Sequence, residues 1–361
     1  MEKKKTGFSL FLSRNAQLIV PIIAIVVLVI FNAIRDISFF SVAVIKNNSG
    51  YNVLSGNLIS ILNGASELVI IAMGMTLVTA ASGGQDISVG ALAAIGGSVF
   101  IKILRSNEIT GGIMLVAFLA ACAVVAVFGC FNGLLVSVFH IQPMIATLIL
   151  YTCGRSVAYW INGGATPTVE SPLVSAMGSF IPGIPVPTPI LIVIVVGLLL
   201  ALLFRFTSLG LYIQTVGINQ KAAYQNGINP IAMKLAAFII LGVCCAFSGC
   251  INTCRLGLLN HEQALLDIEM DAILAVAIGG NNLGGGKFKL SGSILGAYAI
   301  QMLTITLYAM KVRSTDVKAY KAIVIIILVI LGSPVVKQAF SNFWKKIRAK
   351  GIADAPGKAV N

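Results

Sequence analysis

Long apolar stretches separated by short polar ones run along nearly the whole chain. A helix needs about 20 mostly apolar residues to cross a bilayer. Ten stretches approach that length: 17–34, 60–80, 87–104, 112–138, 143–161, 189–204, 235–254, 268–280, 290–309 and 321–336. They predict an all-α polytopic membrane protein with about ten transmembrane helices. Of the ten, 87–104 and 268–280 fit least well, the latter being short. A β-barrel would show short alternating segments instead. The polar remainder is small. Residues 35–57, rich in Asn, Ser and Gly, predict an external loop, as do residues 163–188 with Pro167, Pro172, Pro182, Pro185 and Pro187. Residues 205–234 form the longest internal loop. The expected organisation is one transmembrane domain over 1–361: a cytoplasmic N-terminus 1–16, a bundle 17–336, and a basic cytoplasmic tail 337–361.

Composition agrees with this pattern. Hydrophobic residues make up 58% of the 361-residue chain and charged residues 10%, where soluble domains carry about 25% charged residues. The net charge of +13 gathers at the ends, in Lys3, Lys4, Lys5 and Arg14, then Lys337, Lys345, Lys346, Arg348, Lys350 and Lys358. That distribution places both termini in the cytoplasm by the positive-inside rule. It fits anionic lipid headgroups, and no nucleic-acid partner is expected. The apolar run after Met1-Glu2-Lys3-Lys4-Lys5 is too long for a signal-peptide core and predicts an uncleaved first helix. One conflict stands out: this topology puts Lys311, Arg313, Lys318 and Lys321 outside, where basic residues are disfavoured.

The run Gly83-Gly84-Gln85-Asp86-Ile87-Ser88-Val89-Gly90 lies between two apolar stretches. A carboxylate at bilayer depth costs about 2.5–3.5 kcal/mol by insertion scales. Helix breaks at that depth survive only where protein or a water-filled path satisfies the freed backbone groups. Gln85, Asp86 and Ser88 are therefore candidates for a path or gate, with Asp86 or Ser88 as an N-cap of the next helix the simpler reading. A second break, Gly279-Gly280-Asn281-Asn282-Leu283-Gly284, echoes the first, and Asn281 and Asn282 join the candidates. Asn132, Gln142, Thr147 and Arg155 are polar residues inside or beside apolar stretches and extend the set of path candidates.

No catalytic constellation is present. His140 and His261 are far apart in sequence. Gly284-Gly285-Gly286-Lys287 resembles half a phosphate loop, but Asn281 stands at its first glycine position and Phe288 follows the lysine, so the Walker A pattern fails. The seven cysteines, Cys122, Cys130, Cys153, Cys244, Cys245, Cys250 and Cys254, are odd in number and lie in apolar segments, which argues against a disulfide framework. Cys250 and Cys254 share a helix face without a His or carboxylate beside them, so no metal site is expected. The sequon Asn47-Asn48-Ser49 is too common a pattern to carry weight.

The internal loop carries clearer local signals. Asn219 predicts an N-cap and Gly227 a C′ residue, with a two-turn helix between them that includes Lys221, Ala222 and Ala223. Asn229-Pro230 predicts the cap and first residue of the next helix. A helix this short needs a surface to pack on. It would serve as a helix seated in a partner's groove or as a connector resting on lipid.

Three stretches together resemble the permease subunit of bacterial ABC importers for simple sugars, of the ribose/galactose/xylose type. The family's Gly-Gly-x-Asp-Leu-Ser-Val-Gly signature corresponds to Gly83–Gly90, with Ile87 for Leu. Its Gly-x-Asn-x-x-Ala-Ala-x-x-x-Gly-Ile motif corresponds to Gly217, Asn219, Ala222, Ala223, Gly227 and Ile228. Its late glycine-rich segment corresponds to Gly279–Gly296. The likeness extends over nearly the whole chain, and it rests on the three motifs jointly. Two departures bear on substrate and binding-protein choice: the 35–57 and 163–188 loops are long, and Gln85 stands where the family often has an apolar residue.

The resemblance implies a type II importer permease in the bacterial inner membrane, paired with a second permease as homo- or heterodimer. ATPase subunits would receive the loop around Asn219–Gly227. ATP and magnesium would be used there, with no cofactor on this chain and no enzymatic activity of its own. An extracytoplasmic sugar-binding protein would dock near Lys311, Arg313 and Lys318, which would account for the charge conflict. Two other readings stay open: an ABC permease for another solute (a nucleoside, a signal sugar or a branched-chain amino acid), and an ion-coupled secondary transporter using Asp86.

Overall fold

The computed structural model describes residues 16–46 and 50–332. The basic N-terminal residues, the Asn47–Ser49 sequon and the C-terminal tail lie outside the described residues. The chain is almost entirely helical. The helices are α1 (Ile19–Arg35), α2 (Asn57–Gly64), α3 (Ser66–Ser82), α4 (Val89–Arg105), α5 (Gly111–Ser137), α6 (Pro143–Ile161), α7 (Pro172–Gly178) and α8 (Thr188–Phe206). They continue as α9 (Leu209–Ile218), α10 (Gln220–Gln225), α11 (Pro230–Leu256), α12 (Ile268–Ile278), α13 (Leu290–Ala309) and α14 (Ser314–Gly332).

Each of the ten expected spans is largely helical over its described residues, but fewer qualify as spans. Among the described residues five helices are long and apolar enough to cross a membrane (α5, α6, α8, α11 and α13), or six if the bent pair α2–α3 counts as one. The physical reasons differ. Helices α1 and α4 have 17 residues each and α12 has 11. Helix α14 carries Asp316, Lys318 and Lys321 in its first half. The α2–α3 stretch bends by 42°. There Gly64 meets Ser66, whose hydroxyl donates back to the Leu62 carbonyl at 3.3 Å, a combination that bends helices.

Helix α3 is the centre of the bundle, with every residue from Ser66 to Ala81 buried. Helix α11 crosses it and packs most extensively on α5, with further contact along α4. Small residues permit this approach. Gly249 of α11 rests on the Ala93 carbonyl of α4 with no room for a side chain, as expected where helices associate at membrane depth. The outward faces of α5 and α8 are apolar along most of their length, for example Leu115, Leu119, Ile194 and Leu198, with Arg205 exposed only in the last turn of α8. Each carries a window of mean hydropathy 2.8, so these faces suit lipid.

The expected loops contain structure of their own. Residues 35–57 include a two-stranded antiparallel hairpin, β1 (Ala43–Lys46) and β2 (Asn52–Ser55), with Ala43 opposite Ser55 and Lys46 opposite Asn52. The Leu54 N–H donates to the Pro185 carbonyl at 2.9 Å, which ties the hairpin to the proline-rich segment. That segment contains α7. Residues 205–234 hold α9, α10 and the first turn of α11.

Candidate functional site

The two glycine-rich breaks meet in space. Helix α3 ends at Gly83, whose φ is +67°, a conformation glycine adopts without a Cβ penalty. After α12 the chain turns through Gly280, Gly285 and Gly286, all with positive φ. The Gly286 N–H donates to the Ala80 carbonyl at 3.0 Å, and the Gln85 Nε2 donates to the Leu283 carbonyl at 3.0 Å. A Cβ on Gly83 would sit 2.9 Å from the Gly284 carbonyl oxygen. The likeness between the two runs is thus accompanied by direct contact.

Asp86 is buried and accepts three hydrogen bonds. Its Oδ1 takes the Ser88 N–H at 2.7 Å and the Ser88 hydroxyl at 2.6 Å, and its Oδ2 takes Asn132 Nδ2 at 3.2 Å. Asn132 Nδ2 also reaches the Ser88 hydroxyl oxygen at 3.0 Å, and Thr147 Oγ1 accepts the Ile87 N–H at 3.1 Å. Neither Asp86 nor Ser88 caps α4 through its side chain. Asp86 instead closes a local turn on Ser88, because Ser88 already has helical backbone angles and its own N–H faces back toward Asp86. Asp86, Ser88, Asn132 and Thr147 thus form one buried cluster where α4, α5 and α6 converge. Burial of a carboxylate is tolerable when donors surround it.

The second break is stitched by its asparagines. Asn281 Oδ1 accepts the Lys289 N–H at 2.7 Å, while its Nδ2 donates to the Lys289 carbonyl at 3.1 Å and the Ser293 hydroxyl oxygen at 2.8 Å. Ser293 is 2.6 Å from the Thr76 hydroxyl of α3. Asn282 folds on its own turn, accepting the Gly284 N–H at 3.1 Å and donating to the Gly285 carbonyl at 3.2 Å. Asn281 is buried and Asn282 is exposed.

The internal loop abuts both breaks. Gly217 of α9 lies on the Ala80 carbonyl and beside the Gly286 N–H, with no room for a Cβ. Asn219 caps α10 by accepting the Ala222 N–H at 3.0 Å. Gly227, with φ +78°, follows its end. Asn229 caps α11 through the Ile231 and Ala232 N–H groups at 3.0 and 3.3 Å. Lys234 Nζ donates to Gln220 Oε1 at 3.0 Å and holds α10 to α11. Ala223 is buried against the bundle, Ala222 is half-buried, and Lys221, Tyr224 and Gly227 are exposed. An open cleft of about 1220 Å³ borders this unit, lined among others by His140, Lys221, Tyr224, Gly227, Ile228 and Ile231.

The basic turn after α13 is largely paired. Arg313 bonds Asp316 at 2.9 Å, Lys318 bonds Asp267 at 2.5 Å and Lys321 bonds Asp271 at 2.6 Å. Lys311 is exposed in the turn, with φ +58°. His140 and His261 line different clefts. Among the described residues no group of three His, Cys, Asp or Glu converges as a metal site.

Sequence reasoning missed the partners of two arginines, Arg255 and Arg155. Glu67, buried in the first turn of α3, meets Arg255 at the end of α11 at 3.1 Å. Arg255 also donates to the Asn63 carbonyl at 2.9 Å. Arg155, a path candidate by sequence, instead ties α6 to the 257–267 connector: its Nη1 donates to the carbonyls of His261, Glu262 and Ala264 at 2.9, 3.1 and 3.0 Å. The only signal for either was a charge in or beside an apolar stretch.

Residues 57–332 match the family model described as branched-chain amino acid transport system / permease component. The chain is 34% identical over 361 residues to the fructose import permease protein FruF of Bifidobacterium longum, covering 98% of this chain and 99% of that protein. It is 36% identical over 301 residues to the galactofuranose transporter permease protein YtfT of Escherichia coli, covering 82% and 84%. With the Escherichia coli ribose import permease protein RbsC it shares 34% identity over 295 residues, covering 81% and 90%. No solved structure matches. With two meeting helix breaks, a capped helical loop seated on them, apolar spans and this extent of similarity, the chain belongs to the family of transport-system permease components.

Proposed function

We propose that this chain is the membrane permease subunit of an ATP-driven ABC importer and forms the path for a monosaccharide delivered by an extracytoplasmic binding protein. The observation that carries this reading is 34–36% identity, over 81–98% of the chain, to import permeases for fructose, galactofuranose and ribose. The protein would sit in the bacterial inner membrane with both termini cytoplasmic. About ten helical segments would cross: α4 and α12 are largely buried among their neighbours, while α1 and α14 expose apolar faces that suit lipid. A second permease copy or paralogue would complete the path.

Residues 205–234 would be the coupling loop. Gly217, Asn219, Lys221, Ala222, Ala223, Gly227 and Ile228 would meet the ATPase, which alone would use ATP and magnesium. Support comes from the contact of Gly217 with both helix breaks: movement of α10 would reach Ala80 and Gly286 through α9, which precedes it directly in the chain. ATP binding would then bias one arrangement of a two-state bundle. Gln85, Asp86, Ser88, Asn132, Thr147, Asn281 and Asn282 would act at this joint more than as sugar contacts, since six of the seven are buried and hydrogen-bonded within the chain. The three donors around Asp86 favour a structural role over an ion-coupling one. On the opposite face, Lys311 would offer charge to the binding protein, with Arg313 and Lys318 contributing through groups already shared with carboxylates.

The family description favours one second reading, a branched-chain amino acid as the solute. Reconstitution of the chain with an ABC ATPase and a binding protein that assemble with it decides between them. The sugar reading expects ATP hydrolysis and uptake stimulated by D-fructose, D-ribose or D-galactose. Stimulation by leucine alone would transfer the assignment. Uptake by the lone chain under an ion gradient would overturn the ABC reading.

A further inference from the structure

Helix α8 stands apart from part of the bundle beside it. It packs along α3 and touches α7, while α5 and α11 lie packed on each other with no comparable contact to it. A cleft of about 680 Å³ runs along that seam, within the roughly 300–1,000 Å³ of single small-molecule sites. Leu115 and Phe118 line it from α5, Leu191 and Val195 from α8, and Phe247 and Ile251 from α11. Ile251 is buried and marks the inner side. Helix α7 packs on both α8 and α11 and closes one end.

The lining is chemically uniform. Thr188 is the one described lining residue with a side-chain oxygen, and its hydroxyl donates to the Ala176 carbonyl at 2.6 Å. A buried water needs about two to four polar partners, and this lining offers no free side-chain hydroxyl, amide or charge. Hydrocarbon is what such walls accept.

Position names the source of the hydrocarbon. The rim residues Leu115 and Val195 are exposed and belong to the outward faces of α5 and α8 that suit lipid, so the cleft opens sideways onto the bilayer. It reaches Gly111, the first residue of α5, where the span meets its polar boundary. A chain anchored at headgroup level would enter there. A helix is about 10–12 Å across, so this volume holds fewer than about two of its turns. A spanning helix of a second copy does not fit, whereas a flexible acyl chain does.

We propose that the cleft is a binding site for one acyl chain of a membrane phospholipid, wedged between α8 and the α5–α11 pair. The chain lies against Phe118 and Phe247, whose rings meet edge to face with centroids 4.6 Å apart. It joins α8 to the bundle beside the C-terminal half of α11, remote from α10. The site goes beyond the import reading and needs only that the protein be embedded in a bilayer.

The test uses the full chain in vesicles of phosphatidylethanolamine and phosphatidylglycerol. A small fraction of the phosphatidylethanolamine carries a diazirine midway along one acyl chain. On irradiation, adducts are expected on Phe247 or Ile251 inside the cleft, as well as on the exposed Ile194 and Leu198 that face bulk lipid. Extraction into mild detergent and washing before irradiation should remove the second group and retain the first. Ala176→Trp sets an indole into the cleft from α7 and should abolish the Phe247 and Ile251 adducts while leaving those on Ile194 and Leu198 in vesicles. Should that variant fail to fold, the washed unaltered chain decides alone. Adducts confined to Ile194 and Leu198, or lost from Phe247 and Ile251 on washing, would overturn the site. Adducts inside the cleft that survive in folded Ala176→Trp would do the same. An unlabelled cleft together with loss of chain pairing in Leu115→Trp would give it to a second copy and likewise overturn lipid binding.

Discussion

Gly217 of α9 rests directly on the main-chain oxygen of Ala80, the last turn of α3, with no side chain between them. The same carbonyl accepts the Gly286 N–H at 3.0 Å. Three segments far apart in sequence are thus joined through backbone alone.

Gly217→Ala is expected to disturb this junction. An added methyl would force α9 away from α3, and overpacking of this kind typically costs about 1–3 kcal/mol. Thermal unfolding in detergent should show a lower Tm, and substrate-stimulated ATP hydrolysis should fall further than basal hydrolysis. Equal Tm and equal stimulation in the variant would show that the contact is slack.

Asp86→Ala removes the acceptor for the Ser88 N–H, the Ser88 hydroxyl and one Asn132 bond. Each buried donor left unsatisfied costs about 1–3 kcal/mol. Expression and transport should fall together, with Asp86→Asn intermediate because it retains one acceptor oxygen. Normal expression of Asp86→Ala with transport alone abolished would instead assign Asp86 to the path.

Arg255→Ala leaves the Glu67 carboxylate buried without its partner. Breaking a buried pair from one side costs about 3–5 kcal/mol. The expected outcome is a large loss of folded protein in size-exclusion profiles, partly restored by adding Glu67→Gln. No restoration would mean that the bonds of Arg255 to Asn63 dominate.

Lys321 and Asp271 are more enclosed than Lys318 and Asp267, with side-chain exposures of 17% and 24% against 68% and 47%. Exposed ion pairs contribute about 0–1 kcal/mol and weaken with salt. Lys321→Ala should therefore lower Tm more than Lys318→Ala, and added salt should erase the Lys318 effect first. The reverse order would contradict the burial argument.

Asn219→Ala deletes the cap of the six-residue α10, a loss of about 1 kcal/mol. Co-purification with the ATPase should weaken while membrane insertion is unchanged. Retention of full co-purification would remove α10 from the proposed interface.

Local signals in the sequence placed most of the elements. Pro143–Ile161 and Leu290–Ala309 emerge with the bounds that the apolar runs gave, and Asn219, Gly227 and Asn229 cap or terminate the helices as their types require. The start of α11 lies at Pro230, five residues before the apolar run begins, because Asn229 caps a first turn with polar Lys234 inside it. The bend at Ala65 was hidden in continuous hydropathy, and the hairpin at 43–55 has strands of only four residues each. The lower number of helices that qualify as spans has a different origin. Hydropathy registers a helix that is shielded by its neighbours, such as α12, as readily as one that crosses alone. Of the candidate site, the two breaks and the capped loop were visible. Their mutual contact was not, since periodicity carries no information about which distant segments touch. The tie of Arg155 to the His261, Glu262 and Ala264 carbonyls depends on such contacts entirely.

The junction of Gly217, Ala80 and Gly286 has a mechanical meaning. Side chains cushion displacement by changing rotamer, and main-chain contacts have no such freedom. A stack of bare backbone has low compliance, so a small shift at one member must be taken up by its neighbours as translation. If α9 moves, the stroke arrives undiminished at the last turn of the bundle's central helix and at the glycine-rich turn bonded to it.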